Sequence, residues 1–123
     1  MNSEEFQQLF EPESDRLFQH YARLSEDELL NLIEHKKWDT NYQIWRAIAA
    51  NGSKKAFHPL YDVVKDMNND YLHRYHACDA LFALAGIADE EFKGIVQYGL
   101  NKNRERADQH EAIEQLGKIL EEI

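Results

Sequence analysis

The segment Arg74-Tyr75-His76-Ala77-Cys78-Asp79-Ala80-Leu81-Phe82-Ala83-Leu84-Ala85 decides the fold. It starts at a polar opening position, runs through small and apolar positions, sets an aliphatic after Ala80 and closes on a small residue. The same pattern recurs from Asn41 to Gly52 and from Arg106 to Gly117. The openers Asn41, Arg74 and Arg106 stand 33 and 32 residues apart. The central alanines are Ala47, Ala80 and Ala112, each followed by an aliphatic: Ile48, Leu81 and Ile113. The intervening segments match at a shift of 35 residues, Phe57 with Phe92, Leu60 with Ile95 and Tyr61 with Val96. Self-similarity at such a period marks stacked helical units. Small residues at fixed spacing let neighbouring helices approach closely.

Working outward, helical signals fill the rest of the chain. Ser3 caps a segment ending near Phe10, and Pro12 predicts a break and a second helix carrying Leu17, Phe18 and Tyr21. Ser25 to Glu28 is a capping box opening a third. Lys36 and Lys37 fall near its end, where cations suit the helix dipole. Asp39 or Thr40 caps a helix over 40–51, stopped by Asn51-Gly52. Further helices are expected over 54–66, with Pro59 in the early turns, and over 70–85. Another starts at Asp89 with Phe92, Ile95 and Val96 inward. Asn101-Lys102-Asn103 predicts a turn, and the last helix starts near Arg104. No stretch alternates at period two, so no strand is predicted. The expected class is all-α, one domain over 1–123: residues 1–38 form an N-terminal helical cap, and residues 39–123 the repeats.

Composition agrees. The chain has 123 residues, 43% hydrophobic and 30% charged, with only five Gly and two Pro. That is a globular composition, poor in the punctuation a many-stranded sandwich needs. The net charge is −9, and residues 1–40 carry ten acids against four bases. Such a field disfavours nucleic acid and anionic lipid as partners and favours a basic protein. The polar start predicts no signal peptide, and the single Cys78 suits a reducing compartment, so a cytoplasmic location is expected.

The run Ala56-Phe57-His58-Pro59-Leu60-Tyr61-Asp62-Val63-Val64-Lys65-Asp66, then Asp70 and Arg74 to Leu81, resembles the short HEAT-like repeat first described in phycobilin lyases. The resemblance covers about residues 39–123. It implies a short right-handed α-α superhelix of helical hairpins, closed by the N-terminal helices, and a fold that mostly provides a binding surface.

Candidate chemistry is sparse. His110-Glu111 resembles the His-Glu motif by which HEAT-like deoxyhypusine hydroxylases hold two irons, and imidazole with carboxylate suits iron. That family uses one pair per repeat. The equivalent positions here are Trp45-Arg46 and Cys78-Asp79, so no metal and no cofactor are expected. His73 and His76 share a helix face and read as a partly solvated helix start. Arg74 and Arg106 are expected to pair with acids such as Asp66 or Asp70. Cys78 reads as a small buried hydrophobe. Trp38 and Tyr98 fall off the apolar stripes and read as interface anchors.

The sequence therefore predicts a non-catalytic protein-binding module, not an enzyme. Its most concrete form is an acidic immunity protein that neutralises a basic toxin. The alternatives are a general scaffold, or a metal-dependent enzyme using His110-Glu111. In HEAT-like stacks the second helix of each hairpin lines the concave side, expected here at 54–66 and 89–100. The partner-binding residues named on that basis are His58, Asp62, Glu90, Glu91, Gln97 and Tyr98.

Overall fold

The computed structural model describes residues 3–100 and 106–123, with side chains over 13–97, at 100 and over 110–123. The described residues form seven α-helices and no strand: α1 (Ser3–Ala22), α2 (Glu26–Glu34), α3 (Gln43–Asn51), α4 (Phe57–Lys65), α5 (Tyr71–Ala85), α6 (Glu90–Gly99) and α7 (Arg106–Glu122). A single 3₁₀ turn, Lys54–Ala56, leads into α4. The turn expected at 101–103 lies outside the described residues.

The N-terminal third holds two helices where three were expected, because α1 runs through Pro12 without ending. Proline in a helix interior forgoes one hydrogen bond, which is tolerable where packing holds the rest. Packing holds the second half of α1: the Arg46 guanidinium lies 4.1 Å from the Phe18 ring centroid, and Tyr21 is buried. The capping box of α2 forms as read, with Ser25 and Glu28 exchanging two bonds of 3.1 Å. Its other end is a left-handed turn in which Lys37 N–H reaches Leu32 C=O and Lys36 N–H reaches Ile33 C=O. Lys36 takes the left-handed position, φ 56°, that α5 gives to Gly86 at φ 71°.

Asp39 caps α3 from a distance. Its carboxylate accepts from the backbone N–H groups of Asn41, Gln43 and Ile44 at 3.0–3.2 Å. Tyr42 sits between them in the left-handed region, φ 64°, which costs an L-residue about 1–2 kcal/mol. The α3 stop at Gly52 is as expected, and Asp89 caps α6 through Glu91 and Phe92 N–H.

The helices pack in two layers. In one, α2 lies beside α4 and α4 beside α7; in the other, α1, α3, α5 and α6 follow one another. The layers meet as α2 on α3, α4 on α5 and α7 on α6. Polar links give the direction within the first layer. Glu26 takes hydrogen bonds from Ser53, and Asp27 pairs with Lys55, joining the starts of α2 and α4. Lys36 pairs with Asp66 at 3.1 Å, joining their ends, so the two helices run parallel. Between the layers Leu29, Ile44, Trp45, Ile48, Leu60, Val64, Leu81, Val96 and Leu116 are fully buried. The repeat alanines Ala47, Ala80 and Ala112 all fall in this core.

A strict translation of the repeat would set α6 beside α4. Among the described residues α7 packs there instead: the Tyr61 hydroxyl donates to Ile113 C=O at 2.7 Å, and Gly117 leaves room for the ring. Ile95, expected inward as the counterpart of buried Leu60, is therefore 54% exposed.

Candidate functional site

Parallel helices whose ends are clamped leave a groove where the side chains between them are short or turned aside. Two such grooves flank α4. The one between α2 and α4 encloses about 460 Å³. Its floor is Ile33 and Val63, its walls are Leu30, Trp38 and Pro59, and its rim carries Glu34, Asp62 and Asp66 against Lys36 and His58. The one between α4 and α7 encloses about 540 Å³ over Phe57, Tyr61 and Leu120. Its rim has the opposite balance, with Lys54, Lys65 and Lys118 against Glu114 and Glu121. His58 stands on the ridge and borders both.

The residues named from sequence divide between the layers. His58 and Asp62 are exposed on α4, their side chains 3.6 Å apart, and Asp62 also meets Lys65 at 3.4 Å. Glu90, Glu91 and Gln97 lie on α6 in the other layer, with Glu90 paired to Lys93 at 2.8 Å. Gln97 donates to Asp79 on α5. The two groups do not share one side as the repeat register implied, because α7 occupies the place beside α4. The side chain of Tyr98 lies outside the described residues.

The other expectations fare unevenly. Trp38 lies between the α2–α4 groove and the aromatic cluster. It is half-buried, with its ring 5.2 Å from Trp45 and 5.1 Å from His73 between centroids. His73 is not a solvated helix start: it is 8% exposed, and its Nδ1 accepts from Trp45 Nε1 at 3.1 Å. Burial lowers its pKa below the usual histidine value of 6.5, against the pull of Asp70 and Asp39. His76 stacks on Tyr42, 4.5 Å between centroids and 18° from parallel. An aromatic cluster thus joins α3 to α5 across the strained Tyr42, a contact that no sequence spacing pointed to.

Arg74 makes no ion pair to Asp66 or Asp70 within 4 Å among the described residues. It is 2% exposed, and its Nε donates to Val64 C=O at 2.9 Å, satisfying a terminal carbonyl of α4. Asp66 turns instead to Asn68 N–H and Lys36, which together hold its carboxyl below the ordinary carboxylate range. Arg106 is described in its backbone alone. Cys78 is buried, as expected, and that burial pushes its thiol far above the usual range, so it carries no thiolate near neutrality. His110 and Glu111 are both exposed on α7, just ahead of buried Ala112. No group of three or more His, Cys, Asp or Glu is placed to hold a metal among the described residues. No helix among them is long and apolar enough to cross a membrane.

Comparison with known protein families, curated proteins and solved structures gives no match.

Proposed function

We propose that the chain is a non-catalytic, protein-binding HEAT-like module, a short right-handed helical stack that masks a basic partner. Its most concrete form is a cytoplasmic inhibitor that neutralises a basic toxin domain. The parallel run of α2 and α4 over neighbouring α3 and α5 supports the stack, because translated hairpins pair like helices with like. The charge carries the functional reading. A net −9 steers a basic partner, speeds encounter and repels nucleic acid. The reactive side chains support contact rather than turnover: Cys78 keeps its proton inside the core, and the Nδ1 lone pair of His73 is engaged by Trp45.

The test starts from partners captured from the natural source, followed by binding of the purified pair at low and high salt. The expected partner is basic, and its affinity falls by about tenfold or more as surface charges are screened. An acidic partner, or one indifferent to salt, overturns the proposal.

A further inference from the structure

The groove between α2 and α4 has features that select an occupant. The groove is bordered by the C-terminal half of α2 and the turn after it, from Leu30 to Trp38, and by α4 from His58 to Asp66. The links Glu26–Ser53, Asp27–Lys55 and Lys36–Asp66 join α2 and α4 at both ends. Glu34, Asp62 and Asp66 all belong to the C-terminal halves or ends of the two helices. Because the helices are parallel, the negative ends of both dipoles also meet there. Asp66 is shared with Lys36 and Asp62 with Lys65 and His58, while Glu34 makes no ion pair among the described residues, so the acidic end keeps a surplus of negative charge. The groove across α4, with three lysines on its rim, has no such bias.

We infer that the α2–α4 groove receives an amphipathic helix of a basic partner, its apolar stripe on the half-buried Leu30, Trp38 and Pro59 and its Lys or Arg residues against Glu34 and Asp62. Residues at i, i+3 or i+4, and i+7 of such a helix form the stripe that a helix lays into an apolar groove. A desolvated apolar anchor supplies affinity, and the charged rim supplies orientation and speed. The inference rests on the protein-binding reading above and names where, and by what chemistry, that partner docks.

The test titrates isotope-labelled protein with three synthetic helical peptides, each about three turns long. One pairs a Leu stripe with Lys flanks, one a Leu stripe with Glu flanks, and one replaces the Leu stripe by Ser between Lys flanks. The Lys–Leu peptide alone should saturate, shifting backbone amides over 30–36 and 60–66. Glu34→Lys with Asp62→Lys should weaken it by about tenfold or more, while Glu90→Lys with Glu91→Lys changes it by no more than about twofold. All four positions are exposed, so circular dichroism should find both variants folded. Equal binding of the Glu–Leu peptide, shifts elsewhere, or no saturable binding overturns the inference. So does a dimer in sedimentation that Glu34→Lys with Asp62→Lys dissolves, which would give the groove to a second copy. A captured basic partner that tolerates the α2–α4 variant and is lost with the α6 variant overturns the groove assignment while leaving the protein-binding reading intact. An acidic captured partner overturns that reading first.

Discussion

Trp45 Nε1 donates to His73 Nδ1 at 3.1 Å, and this bond ties α3 to α5 inside the aromatic cluster. It also fixes the tautomer, since an Nδ1 that accepts cannot carry a proton. Protonating His73 on that nitrogen breaks the bond and places a charge in a buried site whose desolvation already lowers its pKa below 6.5. The titratable groups facing it are Asp70, Asp39 and His76.

A group with a depressed folded pKa contributes fully above its unfolded value, and its contribution is lost as pH falls through the folded value. Stability from His73 should therefore be intact above pH 6.5 and decline below it. Urea unfolding of wild type and His73→Gln across this range checks it. The stability difference between them should narrow with falling pH. A constant difference would show that His73 does not titrate as its burial requires.

Ala80 is buried in the core shared by the layers. Ala80→Leu should overpack that contact and lower stability by about 1–3 kcal/mol. Thermal unfolding reads the effect, and an unchanged midpoint would mean that the helices can part there without loss.

Two helical glycines should respond oppositely to alanine. A Cβ at Gly117 would stand 2.5 Å from the Tyr61 hydroxyl oxygen, which is held by its bond to Ile113. At Gly94 nothing lies within 4 Å. Gly94→Ala should stabilise by about 0.5–1 kcal/mol through helix propensity alone. Gly117→Ala should lose that gain and destabilise, and Tyr61→Phe should restore part of it. Equal effects at the two glycines would contradict the close approach of α4 to α7.

Asp39 satisfies three backbone N–H groups at the entry to α3 and holds the strained turn at Tyr42. Asp39→Ala should cost about 1–2 kcal/mol, at the upper end for a lost cap. Hydrogen exchange should show the amides of Asn41, Gln43 and Ile44 opening first.

Much of the local structure was legible because its causes are local. The Ser25–Glu28 box, the stop at Gly52, the cap at Asp89 and the burial of Ala47, Ala80 and Ala112 each follow from a few neighbouring residues. Pro12 misled for the opposite reason. Its local preference for breaking a helix is outweighed by the hold of α3 on α1 through Arg46 and Phe18. The Arg74 reading failed because a carbonyl at the end of a neighbouring helix is a partner that sequence does not display.

The sequence by itself determined the all-helical character of the described residues, the repeat that sets its core alanines, and an excess of negative charge. Periodicity and composition are properties of residues in order, and they survive any arrangement of the helices. The tertiary structure alone decided that α7 rather than α6 lies beside α4. That choice separated His58 and Asp62 from Glu90, Glu91 and Gln97, exposed Ile95, and left an apolar groove with an acidic end between α2 and α4. Which helix covers which face depends on side-chain fit across the layers, such as Tyr61 against Gly117, and a fit between residues 56 positions apart leaves no mark in the sequence around either one.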